Sequence, residues 1–183
     1  GDALSLKNNI ILSGTDITLA QTVNSDAALT KRTLQVTGSG VTTFGGIVGG
    51  TAELASLTVD GGGTTLLNAG TVTTAGVQSY TDALTLGANT ALVTTNSNVS
   101  FTSTLNSSEA LATAGTPAPA TLSITAGTGD VTFGNIVGGA TYTATNGALG
   151  AVTLVSATNV GINAAFTAAS LTQQAGSGTT TIG

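Results

Sequence analysis

The chain contains no cysteine, histidine, methionine or tryptophan. Without His or Cys there is no Ser-His-Asp triad, no thiol nucleophile, no zinc centre of the usual nitrogen and sulfur type, and no disulfide. Charged residues make up 6% of the 183 positions, against roughly 25% in ordinary globular domains. The apolar runs are only a few residues long, far short of the roughly 20 needed for a membrane-crossing helix, so no helical membrane insertion is expected. Three cations, Lys7, Lys31 and Arg32, face eight acids, for a net charge of −5. A chain with so few cations cannot replace the counterions of a phosphate backbone, which argues against nucleic acid and against anionic membrane surfaces. Aromatic residues are 3% of the chain and prolines number two.

What the chain does contain is small and β-branched. There are 38 threonines and 26 glycines, and 40% of residues are hydrophobic, mostly Ala, Leu and Val. Threonine, glycine, asparagine and valine are poor helix formers. Short alternations of apolar and hydroxyl residues, bounded by Gly, Asn, Asp or Ser, form the pattern of half-buried strands. One stretch, residues 107–114 (SSEALATA), could form a short helical turn. The sequence begins Gly1-Asp2-Ala3 with neither an initiator methionine nor a signal peptide, as expected of a mature product or an excised segment.

Internal repetition is the strongest feature. FGGIVGG at 44–50 recurs as FGNIVGG at 133–139, each after an alternating strand and a glycine turn: LQVTGSGVTTF and LSITAGTGDVTF. Weaker copies of the unit begin at Leu57, Leu84, Val152 and Leu171. Starts separated by roughly 20–30 residues imply stacked coils. The expected fold is an all-β parallel β-solenoid of about six to eight coils, a single unit over residues 1–183. Leu, Val, Ile, Phe and Ala would stack inward, with Thr, Ser and Asn outward. Residues 102–120 carry Pro117 and Pro119, which cannot donate to a central ladder. This stretch is therefore expected to protrude as a loop insertion.

Residues 41–101 resemble repeats of large bacterial surface and secreted proteins. These are the filamentous-haemagglutinin-like and autotransporter-passenger adhesins and related β-strand repeat proteins. The FGxIVGG motif, LASLTVDGGGTT and VQSYTDALTLGAN carry the resemblance. It implies a right-handed β-helix, exported to the cell surface or medium and working as adhesin, matrix or fibre. The family has no shared catalytic motif, so it implies no site residues. Its members are far longer than this chain.

The candidate sites are few. Asp60 and Asp82 lie 22 residues apart, close to one coil. On a shared groove they could act as acid and base, as in β-helix polysaccharide enzymes. Asp60 follows its strand while Asp82 precedes the next, so they are expected at different corners as turn residues. Asp130 also sits at a turn. Gly61-Gly62-Gly63 lacks the following aspartate of a calcium-binding nonapeptide, and the acids are scattered, so no metal is expected. The triplets at Asn98 and Asn106 match the glycosylation sequon, as chance allows in a Thr/Asn-rich chain. The aromatics Phe44, Tyr80, Phe101, Phe133, Tyr142 and Phe166 are too few and too spread for a sugar-binding platform, and Phe44, Phe101 and Phe133 hold alternating positions expected in the core. The pair Lys31-Arg32 reads as a solvated corner.

The expectation is a non-enzymatic, extracellular structural or adhesive protein of a bacterial surface, without a cofactor. It would stack end to end as a homopolymer through the strand-like termini, with Leu4, Leu6, Ile10 and Leu12 at one end and Thr180 and Ile182 at the other. Neither end shows a cap, and low wall charge weakens repulsion between copies. The alternatives are a segment of a large adhesin binding host or surface glycans and, remotely, a polysaccharide-degrading enzyme.

Overall fold

The structure is a computed structural model that describes residues 2–108, 119–139 and 147–183. Among them there is no helix, and twenty short strands wind into a parallel β-solenoid of about seven turns. Each turn visits three faces. Face I holds β1 (Leu4–Leu6), β4 (Val23–Ser25), β9 (Thr71–Thr74), β12 (Thr90–Thr94), β15 (Leu122–Thr125), β17 (Leu149–Ser156) and β19 (Ala168–Gln173). Val48 bridges β4 and β9 as a one-residue strand.

Face II is an unbroken eight-stranded sheet: β2 (Ile10–Gly14), β5 (Thr33–Gly38), β7 (Ser56–Asp60), β10 (Gln78–Tyr80), β13 (Val99–Phe101), β16 (Val131–Phe133), β18 (Val160–Ile162) and β20 (Thr180–Ile182). Face III holds β3 (Ile17–Leu19), β6 (Val41–Phe44), β8 (Thr64–Leu67), β11 (Ala83–Leu86) and β14 (Leu105–Ser107), continued by single bridges at Val137 and Phe166.

Alternation explains why these segments are strands. In β5, β7, β9 and β11 every second residue is buried, and those residues are mainly Leu and Val. Parallel pairing in register then stacks like positions into columns along the axis. On face II one column runs Leu12, Val36, Val59, Tyr80, Phe101, Phe133, Ile162, Ile182. Each fully buried Leu, Val or Phe contributes about 1.5–3 kcal/mol of transfer free energy. Rings in that column also stack: Tyr80 and Phe101 lie 5.4 Å apart and Phe101 and Phe133 5.3 Å apart, nearly parallel in both cases. Phe44 is buried in a face III column with Leu67 and Leu86.

The repeated motif has one local geometry and two locations. In FGGIVGG, Phe44 ends face III and Val48 starts face I; in FGNIVGG, Phe133 ends face II and Val137 joins face III. At both, the valine N–H donates to the next coil and the following glycine N–H to the preceding coil: Val48 to Thr71 and Gly49 to Val23, Val137 to Ala165 and Gly138 to Leu105. Gly49 and Gly138 have φ of +72° and +69°, and a Cβ on either would collide with a backbone oxygen, of Thr73 or Thr167. Glycine is required there for both reasons. The sequence repeat thus marks a face rather than a whole coil. Leu34 pairs with Leu57 on face II, but Leu84 lies on face III, and Leu122, Val152 and Leu171 lie on face I.

The stretch 102–120 does not leave the wall at Thr102. Leu105–Ser107 is β14, paired with β11, and Ala120 is buried with its N–H donating to the Ser107 hydroxyl at 2.6 Å. Residues 109–118, with Pro117 and most of the expected helical turn, lie outside the described residues, as does Tyr142.

Candidate functional site

The edges between faces are where polar chemistry gathers. On the edge from face I to face II, the side chain just before a face II strand accepts the equivalent backbone N–H of the next coil. Asn9 accepts from Thr33, Asn98 from Asp130, Asp130 from Asn159, and Asn159 from Thr179, at 2.8–3.0 Å. An Asn or Asp is short enough to reach one coil along the axis and satisfies an N–H that the turn leaves free. Asp130 is therefore a link between coils.

Asp60 and Asp82 meet at one edge, not two. Tyr80 pairs with Val59, so Asp60 and Asp82 both flank the passage from face II to face III on adjacent coils. Their carboxylates are nevertheless engaged separately. Asp60 accepts from the Gln35 amide at 2.8 Å and the Thr37 hydroxyl at 2.7 Å. Asp82, 4% exposed, accepts from the Gly62 N–H at 2.8 Å through Oδ1, while its buried Oδ2 has no partner among the described residues. Nothing in this arrangement leaves one carboxyl positioned as acid and the other as base over a shared groove. Among the described residues no three Asp or Glu side chains converge.

Lys31 and Arg32 are ion-paired rather than free in solvent. Lys31 Nζ lies 2.9 Å from Glu53, and Arg32 forks onto both oxygens of Asp26 at 2.9 and 3.3 Å. The Arg32 hydrogen bond holds the Asp26 carboxyl below its ordinary range. Together with Lys7, these groups make a charged knob on the face I to face II edge of the first three coils. At its apex Leu29 is 99% exposed. Sequence reasoning missed this knob because Glu53 is brought to Lys31 only by coil stacking.

It also missed a polar cluster inside the solenoid. Gln78 and Tyr80 are fully buried on face II; Tyr80 Oη donates to Gln78 Oε1 at 3.1 Å, and Gln78 Nε2 donates to the carbonyls of Val72 and Val93 at 3.1 and 2.9 Å. Burial pushes the Tyr80 hydroxyl above the ordinary tyrosine range. The alternation in VQSY puts both side chains on one side of the strand, which is the available sequence signal.

The residues expected to mediate self-association occupy the terminal coils. Ile10 and Leu12 on β2 begin the same two face II columns that Thr180 and Ile182 on β20 end. Ile182 is 70% exposed, whereas Leu4, Ile10 and Leu12 are partly buried against the core and Leu6, at 2% exposed, is covered within the chain. The described aromatic rings all lie against or within the core. Compared with known protein families, curated proteins and solved structures, the chain matches none.

Proposed function

We propose that this chain is a non-enzymatic structural building block that stacks end to end, coil on coil, into a filament at a bacterial surface or in the surrounding medium. The observation that carries the reading is the continuity of face II. Its two inward columns run through eight strands, from Ile10 and Leu12 to Thr180 and Ile182. A second copy placed head to tail would set its β2 beside β20 in the parallel direction that every other pair in the sheet uses. Ile10 and Leu12 would then cover Thr180 and the exposed Ile182, extending the columns by one more layer. A head-to-head joint would require antiparallel pairing and would break them.

The walls favour association. They carry almost no charge, and Thr, Ser and Asn dominate the outward strand positions. The acids that could have supported catalysis are held in hydrogen bonds that join coils. No described aromatic ring faces outward to stack on a sugar, which weighs against a glycan-binding wall. Export to the cell exterior rests on the resemblance to surface repeat proteins. Negative-stain microscopy of the 183-residue chain tests the proposal: filaments one solenoid wide are expected, and monomers that persist at high concentration refute it.

A further inference from the structure

Three similar faces create a problem for an end-to-end joint. The same motif serves two different edges, and β20 offers only three residues to β2, so strand pairing alone holds the rotational setting of a joint weakly. A feature on a single edge would fix it.

The face I to face II edge carries such a feature. In the second coil it is a seven-residue excursion, 26–32, clamped at its base by the Arg32–Asp26 fork and by the Arg32 N–H donating to the Ser25 hydroxyl at 2.9 Å. Its middle is closed by the Thr30 N–H donating to Ala27 O at 3.2 Å. A clamped loop holding an apolar side chain in water loses little conformational entropy when that side chain is buried by a partner. On the same edge, in the last three coils, lies an open cleft of about 310 Å³ lined by Gly127, Ser156, Ala157, Ala175, Gly176 and Ser177. Its lining is small and uncharged. Asp130, three residues from Gly127 in the chain, lies on the same edge.

Charge adds to the match. All three cations of the chain, Lys7, Lys31 and Arg32, sit on this edge in the first two coils. With Asp26 and Glu53 they leave the knob one net positive charge in a chain of net charge −5. The rest of the chain carries the other six acids and no cation, and among the described residues of the last three coils Asp130 is the one charged side chain.

We propose that Leu29 packs on the Ala175–Ser177 end of this cleft in a second copy of this chain and sets the rotational register of the stack. The inference rests on the end-to-end reading above. Within one chain the two features are about five coils apart, about 24 Å at about 4.8 Å per coil. A seven-residue loop tied at its base reaches out only about 10 Å. In a head-to-tail stack the loop lies about two coils, about 10 Å, beyond the Ala175–Ser177 wall of the preceding copy and on the same edge.

The absence of native cysteine makes the test direct. The double variant Leu29→Cys with Ser177→Cys is oxidised, then examined on a non-reducing gel and by negative-stain microscopy. A disulfide needs Cα atoms within about 7 Å, so any cross-link joins separate copies. Filaments and a covalent ladder are expected, while Leu29→Cys with Thr85→Cys, placed on face III, gives no ladder. Filaments without a ladder, or a ladder equal in the control, overturn the Leu29 contact and leave stacking standing. Neither filaments nor ladder overturns both, and covalent dimers without filaments keep the contact and overturn the filament only where the Thr85→Cys control gives none; dimers equal in the control overturn both. Leu29→Ser should raise the assembly concentration about tenfold or more, from the burial of one leucine. Its urea midpoint should be unchanged, because Leu29 touches little of its own chain. Unchanged assembly of Leu29→Ser also overturns the contact.

Discussion

Tyr80→Phe should destabilise the native chain but not a chain that already carries Gln78→Leu. Gln78 interrupts an apolar column, Ile10, Leu34, Leu57, Gln78, Val99, Val131, Val160, and its Oε1 accepts only from Tyr80 among the described residues. Removing the tyrosine hydroxyl strands that oxygen in a site with no access to water, at a cost of about 1–3 kcal/mol. Gln78→Leu by itself strands the Tyr80 hydroxyl instead, at a similar cost of about 1–3 kcal/mol, and frees the carbonyls of Val72 and Val93. With Leu at 78 there is no acceptor left for the hydroxyl to satisfy, so its removal should cost nothing or be favourable. The freed carbonyls are common to both Gln78 variants and cancel in the cycle. Leucine at 78 stacks between Leu57 and Val99, where the column already carries residues of its kind. Urea unfolding of the four proteins, followed by circular dichroism with the slope checked for constancy, measures the coupling. An equal cost of Tyr80→Phe in both backgrounds would rule out the coupling between the hydroxyl and Gln78.

Tyr80 also sets an alkaline limit. Its hydroxyl is raised in the folded chain and ordinary, near about 10, in the unfolded one. Above about pH 10 only the unfolded chain releases this proton, so stability is whole below that pH and falls by about 1.4 kcal/mol per pH unit above it. Tyr80→Phe should flatten the decline by one proton, and identical slopes would count against the buried hydroxyl. Gly49→Ala and Gly138→Ala should each cost at least about 1–3 kcal/mol in thermal or urea unfolding, because both need positive φ and leave no room for a Cβ; a neutral result at either would contradict the geometry. Thr42→Val and Thr65→Val remove buried hydroxyls that have no partner among the described residues and stack on adjacent coils of face III. Each should stabilise by up to about 1–3 kcal/mol in the same assay, and a loss of stability would show that the hydroxyls are satisfied.

The period-two alternation, the scarcity of helix formers and the recurrence of FGxIVGG already specified short strands, glycine corners and stacked coils. These are properties of a few neighbouring residues, and the physics that produces them is local. Which face a strand joins is not local. It depends on the angle accumulated over every intervening corner, including the 26–32 excursion, and so the two FGxIVGG copies lie on different edges while reading alike. The placement of Asp60 and Asp82 at one edge follows from the pairing of Tyr80 with Val59, which no spacing along the chain reveals. The alternation put Gln78 and Tyr80 on the same side of their strand. Only the pairing of Gln78 between Leu57 and Val99 made that side the interior. The composition had described a wall with few charges. The tertiary structure decided where the few lie, because Lys31 meets Glu53, and Leu29 stands clear of the wall, only once one coil has been laid on the next.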